Sequence, residues 1–165
     1  MWKRTEQLPT EKFQVRYCKY ILGVHQKATN MSVMGEVGRF PILITIVKSM
    51  LRYWQHIVEV EDQMPYLSAA FKEDRKLSCN KSWSGKLLKI LDMLGHPLKS
   101  SLPDNVFINK VIDTMKSEYI KYWKNSLGNP NDNSGKLYLY RRIKGNFKIE
   151  PYLKQVNKNK FSLPT

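Results

Sequence analysis

The stretch from Gly38 to Val58, GRFPILITIVKSMLRYWQHIV, decides the fold class. It places a glycine and a proline ahead of the longest apolar periodic segment in the chain. Pro41 suits the first turn of a helix, because its missing N–H is one that no intrahelical partner would have met. From there Ile42, Leu43, Ile46, Val47, Met50, Leu51, Trp54, Ile57 and Val58 recur at spacings of three and four, the period that brings side chains onto one helical face. Lys48, Arg52 and Gln55 fall opposite, and Ile44 falls outside the stripe, which predicts a helix packed on two sides with a thin wet edge. The β-branched run from Ile42 to Val47 also suits a buried strand, but the pattern continues past the length of most strands. A helix over residues 41–58 would reach roughly 27 Å, enough to cross a small domain.

The same signals recur on both sides of this segment. Thr10 reads as an N-cap and Gly23 as the end of a helix whose Phe13, Tyr17, Tyr20, Ile21 and Val24 share one face, expected to point inward, with Lys12, Arg16 and Lys19 opposite. Met1 to Glu6 and Leu8-Pro9 look like a lead-in linker. Asn30 can cap a shorter helix through Met31, Met34 and Val37, closed by Gly38. Gly35 and Gly38 do not make a phosphate loop, because the strand, the lysine and the Ser/Thr of such a loop are missing. Towards the C-terminus, Asp62 and Pro65 start a helix with Met64, Leu67, Phe71 and Leu77 inside and the charge run from Lys72 to Lys76 in water. Ser82 begins a helix with the stripe Trp83, Leu87, Leu91 and Leu94, closed by Gly95 and Pro97. Asp104 caps a long helix with Ile108, Ile112, Met115, Tyr119, Trp123 and Leu127 on one face, ended by Gly128. Between Gly128 and Gly135 only turn residues occur, which predicts a flexible loop over 129–135. The expected organisation is a helical body over 1–128, that loop, and a basic aromatic C-terminal arm over 136–165. The fold class is all-α, with about six helices in an irregular bundle.

A chain of 165 residues is ordinarily one domain, and that length buries about 70% of the unfolded surface without staples. The 28 Lys and Arg against 14 Asp and Glu leave a net charge of +14, and the pI is near 9.8. Such an excess attracts polyanions, nucleic acid first and an anionic membrane second, with a solvated coat as the plainer alternative. The distribution of the charge favours the first. Between Lys136 and Lys160 stand eight basic residues and one acid, Glu150, so half of the net charge lies in about a sixth of the chain. Tyr138, Tyr140, Phe147 and Tyr152 are interleaved with these cations, a combination that holds phosphates and offers stacking faces to unpaired bases. The candidate nucleic-acid contacts are therefore Lys136, Tyr138, Tyr140, Arg141, Arg142, Lys144, Lys148, Tyr152, Lys154, Lys158 and Lys160. Leu137, Leu139 and Ile143 are expected to anchor the arm to the body.

No catalytic constellation accompanies this surface. His25, His56 and His96 stand alone, and the acids cluster only in Glu59 to Asp62, a pattern common near a helix N-terminus. Cys18 and Cys79 are too few and too far apart for a zinc site and read as reduced structural cysteines. No cofactor is implied. The N-terminal Met-Trp-Lys-Arg-Thr-Glu lacks a signal-peptide core, and the run from Phe40 to Val47 is under half the length needed to span a bilayer. An intracellular protein, nuclear or cytoplasmic, without a membrane partner is expected.

The run Tyr17-Cys-Lys-Tyr-Ile-Leu-Gly-Val-His-Gln-Lys-Ala-Thr-Asn30, followed by Gly35-Glu-Val-Gly-Arg-Phe-Pro41 and by Trp54, resembles the region downstream of the polymerase domain in LINE-like (non-LTR) retrotransposon reverse transcriptases of invertebrates. The stretch from Leu137 to Leu153, with Tyr140-Arg141 and Glu150-Pro-Tyr-Leu153, is similar to the continuation of that region. The resemblance implies a segment that helps hold RNA or target DNA while a polymerase domain elsewhere copies element RNA. No Tyr-x-Asp-Asp motif is present, so polymerase activity does not carry over.

These observations lead to one expectation and two rivals. The expectation is a non-catalytic nucleic-acid-binding accessory region whose partners are RNA or DNA, together with a reverse transcriptase domain. One rival is a helical scaffold docking on a polymerase domain, with an exposed apolar face around Trp54 or Trp123. The other is a relic fragment without a selected function.

Overall fold

The computed structural model describes residues 2–77, 81–98, 103–128, 135 and 137–153. Among them are eight helices and no strand: α1 (Trp2–Thr5), α2 (Pro9–Leu22), α3 (Asn30–Val37), α4 (Ile42–Glu59), α5 (Pro65–Lys76), α6 (Trp83–Met93), α7 (Asn105–Leu127) and α8 (Tyr138–Ile143). The all-α class is as expected, and six of the helices run eight residues or more. The expected loop over 129–135 lies outside the described residues except for Gly135. The chain divides into two compact units, Leu43–Ser117 and the pair of segments Met1–Ile42 and Glu118–Thr165. Residues 137–153, expected as an arm anchored to the body, fall in the same unit as α2 and α3.

The unit Leu43–Ser117 is built on the buried line Ile44, Val47, Leu51, Trp54 and Ile57 of α4. Ile44 therefore joins the stripe from which the sequence pattern left it out, while Ile46 and Val58 lie at its exposed edge. Ile44 stands one turn before Val47, whereas Ile46 is turned about 100° from it, which takes its side chain off the buried arc. Trp54 meets Phe71 of α5 edge-on at 5.0 Å and Trp83 of α6 at 6.2 Å, and Phe71 stacks on Trp83 at 5.6 Å. Edge-on rings place positive edges against negative faces, which adds to the burial term. The Arg75 guanidinium lies 5.4 Å from the Trp54 ring centroid. Met64 and Leu77, expected inside, are exposed, and Phe71 with Ser68 makes the buried face of α5.

One start signal of this unit differs from the expectation, and the expected Ser82 start gains a partner. Asp62 does not cap α5; Met64 precedes Pro65 at the helix start, and no side chain caps it. Asp74, expected among the solvated charges, is engaged at the N-terminus of α6. Ser82 caps that helix by accepting from the Gly85 N–H at 2.8 Å. The Asp74 carboxylate accepts from the Ser82 hydroxyl at 3.0 Å, the Trp83 N–H at 3.3 Å and the Ser84 N–H at 3.1 Å. Burial acts to raise the Asp74 carboxyl, but the bonds from Ser84, Ser82 and Trp83 outweigh it and hold it below the ordinary carboxylate value. Two orphan donors of the first turn are met in this way, by an anion placed where the helix dipole favours it.

The unit formed by the N- and C-terminal segments is organised around the end of α7. The predicted stripe of α7 is buried throughout, from Ile108 to Leu127, and in this unit it supplies Tyr119, Trp123 and Leu127. The buried Trp123 indole Nε1–H donates to the Met31 carbonyl at 2.8 Å. Phe147 lies 5.3 Å from Trp123, 5.4 Å from Tyr119 and 5.0 Å from Phe40. Trp2 packs edge-on to Tyr119 at 5.2 Å, so the N-terminal segment expected as a linker is a helical turn with a core residue. The glycines of α3 let the C-terminal segment approach. A Cβ on Gly35 would stand 2.5 Å from the Tyr140 hydroxyl and 2.7 Å from Trp123 Cζ2, and one on Gly38 would stand 2.3 Å from the Ile149 nitrogen. The Glu150 N–H then donates to the Glu36 carbonyl at 3.1 Å.

α2 is turned the opposite way from its apolar pattern. Glu11, Cys18 and Lys19 are its buried residues, and Phe13, Tyr17, Tyr20, Ile21 and Val24 are exposed. Its start also shifts, with Leu8 at the cap position and Pro9 in the first turn in place of a Thr10 cap. The backbone at Phe40 and Ile42 explains the inversion. The Ile42 N–H donates to Gln14 Oε1 at 2.9 Å and to Glu11 Oε2 at 3.2 Å, while Gln14 Nε2 donates to the Phe40 carbonyl at 2.8 Å. Lys19 Nζ closes the following turn on the Gln26 carbonyl at 2.7 Å. Unmet buried backbone groups cost about 1–3 kcal/mol each, so the polar side chains face inward.

Two substitutions test this packing. Asp74→Ala should cost about 1 kcal/mol in urea denaturation at neutral pH. Because the folded carboxyl is held low, its contribution is present above the ordinary carboxylate range and should be lost as pH falls through the folded value, closing the gap to the wild type in acid. Gly38→Ala meets both a left-handed backbone, φ 61°, and the Ile149 nitrogen, and should cost at least about 2 kcal/mol in the same measurement.

Candidate nucleic-acid interface

The segment 137–153 separates its predicted contacts into two kinds. Arg141 and Lys144 are buried. Arg141 Nη1 donates to the Leu127 carbonyl at 3.2 Å, meeting one of the last carbonyls of α7, and Lys144 Nζ donates to the Lys148 carbonyl at 2.8 Å and to the Glu150 carboxylate. The Tyr140 hydroxyl is likewise inward and donates to the Ser32 carbonyl at 3.1 Å. Burial, followed by the Glu36 carboxylate, pushes its ionisation well above the usual phenol value.

Arg142, Lys148 and Tyr152 are exposed, and Tyr138 is half-buried. The Arg142 guanidinium stands 5.7 Å from the Tyr138 ring centroid, and its Nη1 donates to the Tyr138 hydroxyl at 3.1 Å. An arginine held over an aromatic face is ordered before any ligand arrives and keeps donors for a phosphate. The Tyr152 hydroxyl donates to Glu36 at 2.8 Å, and burial together with that carboxylate raises its ionisation to about 12. Lys136, Lys154, Lys158 and Lys160 lie outside the described residues. Leu139 and Ile143 are exposed, and the apolar anchor of the segment is Phe147. The position of Phe147 in the sequence, between Gly145-Asn146 and Lys148, gives no period from which to read it as core.

A cavity of about 30 Å³, one water's share of volume, is bounded by Trp2, Glu6, Glu11, Met34 and Tyr119 among others. Glu6 Oε1 is buried there without a hydrogen-bond partner among the described residues. Burial raises the Glu6 carboxyl, and Glu11 adds to this while the Tyr122 hydroxyl offsets part of it. Cys18 is buried, and its thiol is pushed up by desolvation, which makes it a poor nucleophile. Cys79 lies outside the described residues. His96 bonds Thr114 at 2.9 Å and packs against Phe107, and His25 accepts from the Lys27 N–H. Among the described residues no three His, Cys, Asp or Glu stand together as metal ligands, and no helix is long and apolar enough to cross a membrane.

Comparison with family models, curated proteins and solved structures gives no match to this chain, so its function is read from its own residues. Trp54 and Trp123, the expected centres of an exposed docking face, are both buried. Among the described residues, α2 instead carries a run of exposed apolar side chains on one face. A sequence signal for it exists in Glu11, Gln14 and Cys18, which share a second helical face at spacings of three and four.

Glu6→Gln tests the cavity. A carboxyl whose folded pKa is raised loses stability as pH rises through that value, so the variant should be more stable than the wild type at pH about 7 and equal to it below the ordinary carboxylate range near pH 4. Thermal unfolding at the two pH values reads the difference.

Proposed function

We propose that this chain is a non-catalytic nucleic-acid-binding module, an accessory region that holds RNA or target DNA for a reverse-transcriptase-type protein. The observation that carries the reading is the exposed set in residues 137–153, with Arg142 stacked on Tyr138 and Lys148 and Tyr152 alongside in the same segment. Arg142 supplies fork-shaped donors to a phosphate, Lys148 a point charge, and the tyrosine rings a stacking face. The net charge of +14 supports it, since the whole chain concentrates polyanions near that segment. The reverse transcriptase setting rests on the resemblance carried by residues 17–41 and 137–153. Arg141 and Lys144 act in this reading through the fold, by fixing the segment to α7 and to itself.

A helical scaffold docking on a polymerase domain is the second reading, and the exposed apolar side of α2 favours it. The double substitution Arg142→Ala with Lys148→Ala separates the two. On the first reading it weakens binding to single-stranded RNA and duplex DNA by similar factors across sequences, and the slope of log affinity against log salt falls by roughly 0.7–0.9 for each lost phosphate contact. Unchanged affinity and slope would leave the scaffold reading standing.

A further inference from the structure

α2 carries an exposed aromatic ridge that neither its packing nor the contacts of residues 137–153 use. Phe13, Tyr17 and Tyr20 are 72%, 51% and 80% exposed, and Ile21 and Val24 border them at lower exposure. Spacings of four and three residues put the rings on one face, about 6 and 4.5 Å apart along the axis. That is wider than the 3.4 Å step of bases stacked in a duplex strand, so each ring can take a base that has left its neighbours.

The exposed charges of α2 itself have one sign. Glu11 is the acid of α2, and it is buried against the Ile42 N–H. Lys12 and Arg16 are exposed, with Arg16 three residues after Phe13 and four before Tyr20, along one edge of the ridge. Lys27 continues the exposed basic character past Gly23. A row of exposed rings edged by cations, on a helix whose acid Glu11 is buried, is complementary to a strand that presents bases on one side and phosphates on the other. An apolar partner helix would leave Lys12 and Arg16 to be matched by acids of its own and would gain little from rings that project singly.

We propose that the outer face of α2 is a stacking platform for single-stranded nucleic acid, with bases on Phe13, Tyr17 and Tyr20 and phosphates along Lys12 and Arg16. This rests on the nucleic-acid reading above and adds to it a second surface and a preference for unpaired strands.

The test uses the full chain, the double variant Phe13→Ala with Tyr20→Ala, and three probes: oligo(U) of about twelve nucleotides, within the span of known single-strand sites, duplex DNA of equal length, and phosphatidylcholine vesicles containing phosphatidylserine. Both side chains are exposed, so an unchanged thermal midpoint is expected and confirms that the variant folds. Affinity for oligo(U) should fall by roughly ten-fold or more, with the salt slope kept, because rings release no counterions. Duplex binding should change by less than the oligo(U) binding does. Arg16→Ala should instead lower the slope for oligo(U) by roughly 0.7. Equal oligo(U) affinity in the double variant overturns the platform while the Arg142 and Lys148 pair still tests the module. Loss confined to vesicle binding also overturns it and gives the face to a membrane surface.

Discussion

The indole of Trp123 is the point on which the unit formed by the two terminal segments depends. Its N–H is buried and has one acceptor, the Met31 carbonyl at 2.8 Å, so α3 must lie where that carbonyl can be reached. Its ring occupies the space that a side chain on Gly35 would need, which fixes glycine at that position. Phe147 closes on the ring at 5.3 Å and brings residues 147–150 against Gly38, where the Glu150 N–H finds the Glu36 carbonyl. One donor, one missing Cβ and one ring contact thus tie three parts of the chain that are far apart in sequence. A buried donor left unmet would cost about 1–3 kcal/mol, comparable with a large share of a domain's net stability.

The same arrangement decides how the positive charge of the C-terminal segment is used. With residues 147–150 held against α3, Lys144 turns inward to the Lys148 carbonyl and Glu150, and Arg141 turns inward to the Leu127 carbonyl at the end of α7. These cations stabilise the scaffold and are shielded from a polyanion. Among the described residues of the segment, Arg142 and Lys148 are left at the surface, and Arg142 is held over the Tyr138 ring. Ordering in advance lowers the entropic cost of forming a complex.

α2 follows a parallel logic. The N–H of Ile42, just past Pro41, is a helix-start donor with no partner of its own, and Glu11 and Gln14 supply one. Turning those polar groups inward turns Phe13, Tyr17 and Tyr20 outward. The surface chemistry of this helix is therefore a consequence of a backbone hydrogen-bond requirement elsewhere in the chain.

The sequence by itself determined the all-α class, four of the helix ends and the buried stripe of α7. Gly23 and Gly38 end their helices in the left-handed region, Ser82 and Asp104 accept first-turn N–H groups, and every predicted stripe residue from Ile108 to Leu127 is buried. These are decided within one or two turns of chain, where periodicity and capping chemistry act. Tertiary structure decided which of the two faces of α2 points inward and that Arg141 turns from solvent to the end of α7. Each of those outcomes depends on a donor, an acceptor or a ring supplied from a distant segment, and a local apolar period carries no information about a backbone N–H that lies about thirty residues away.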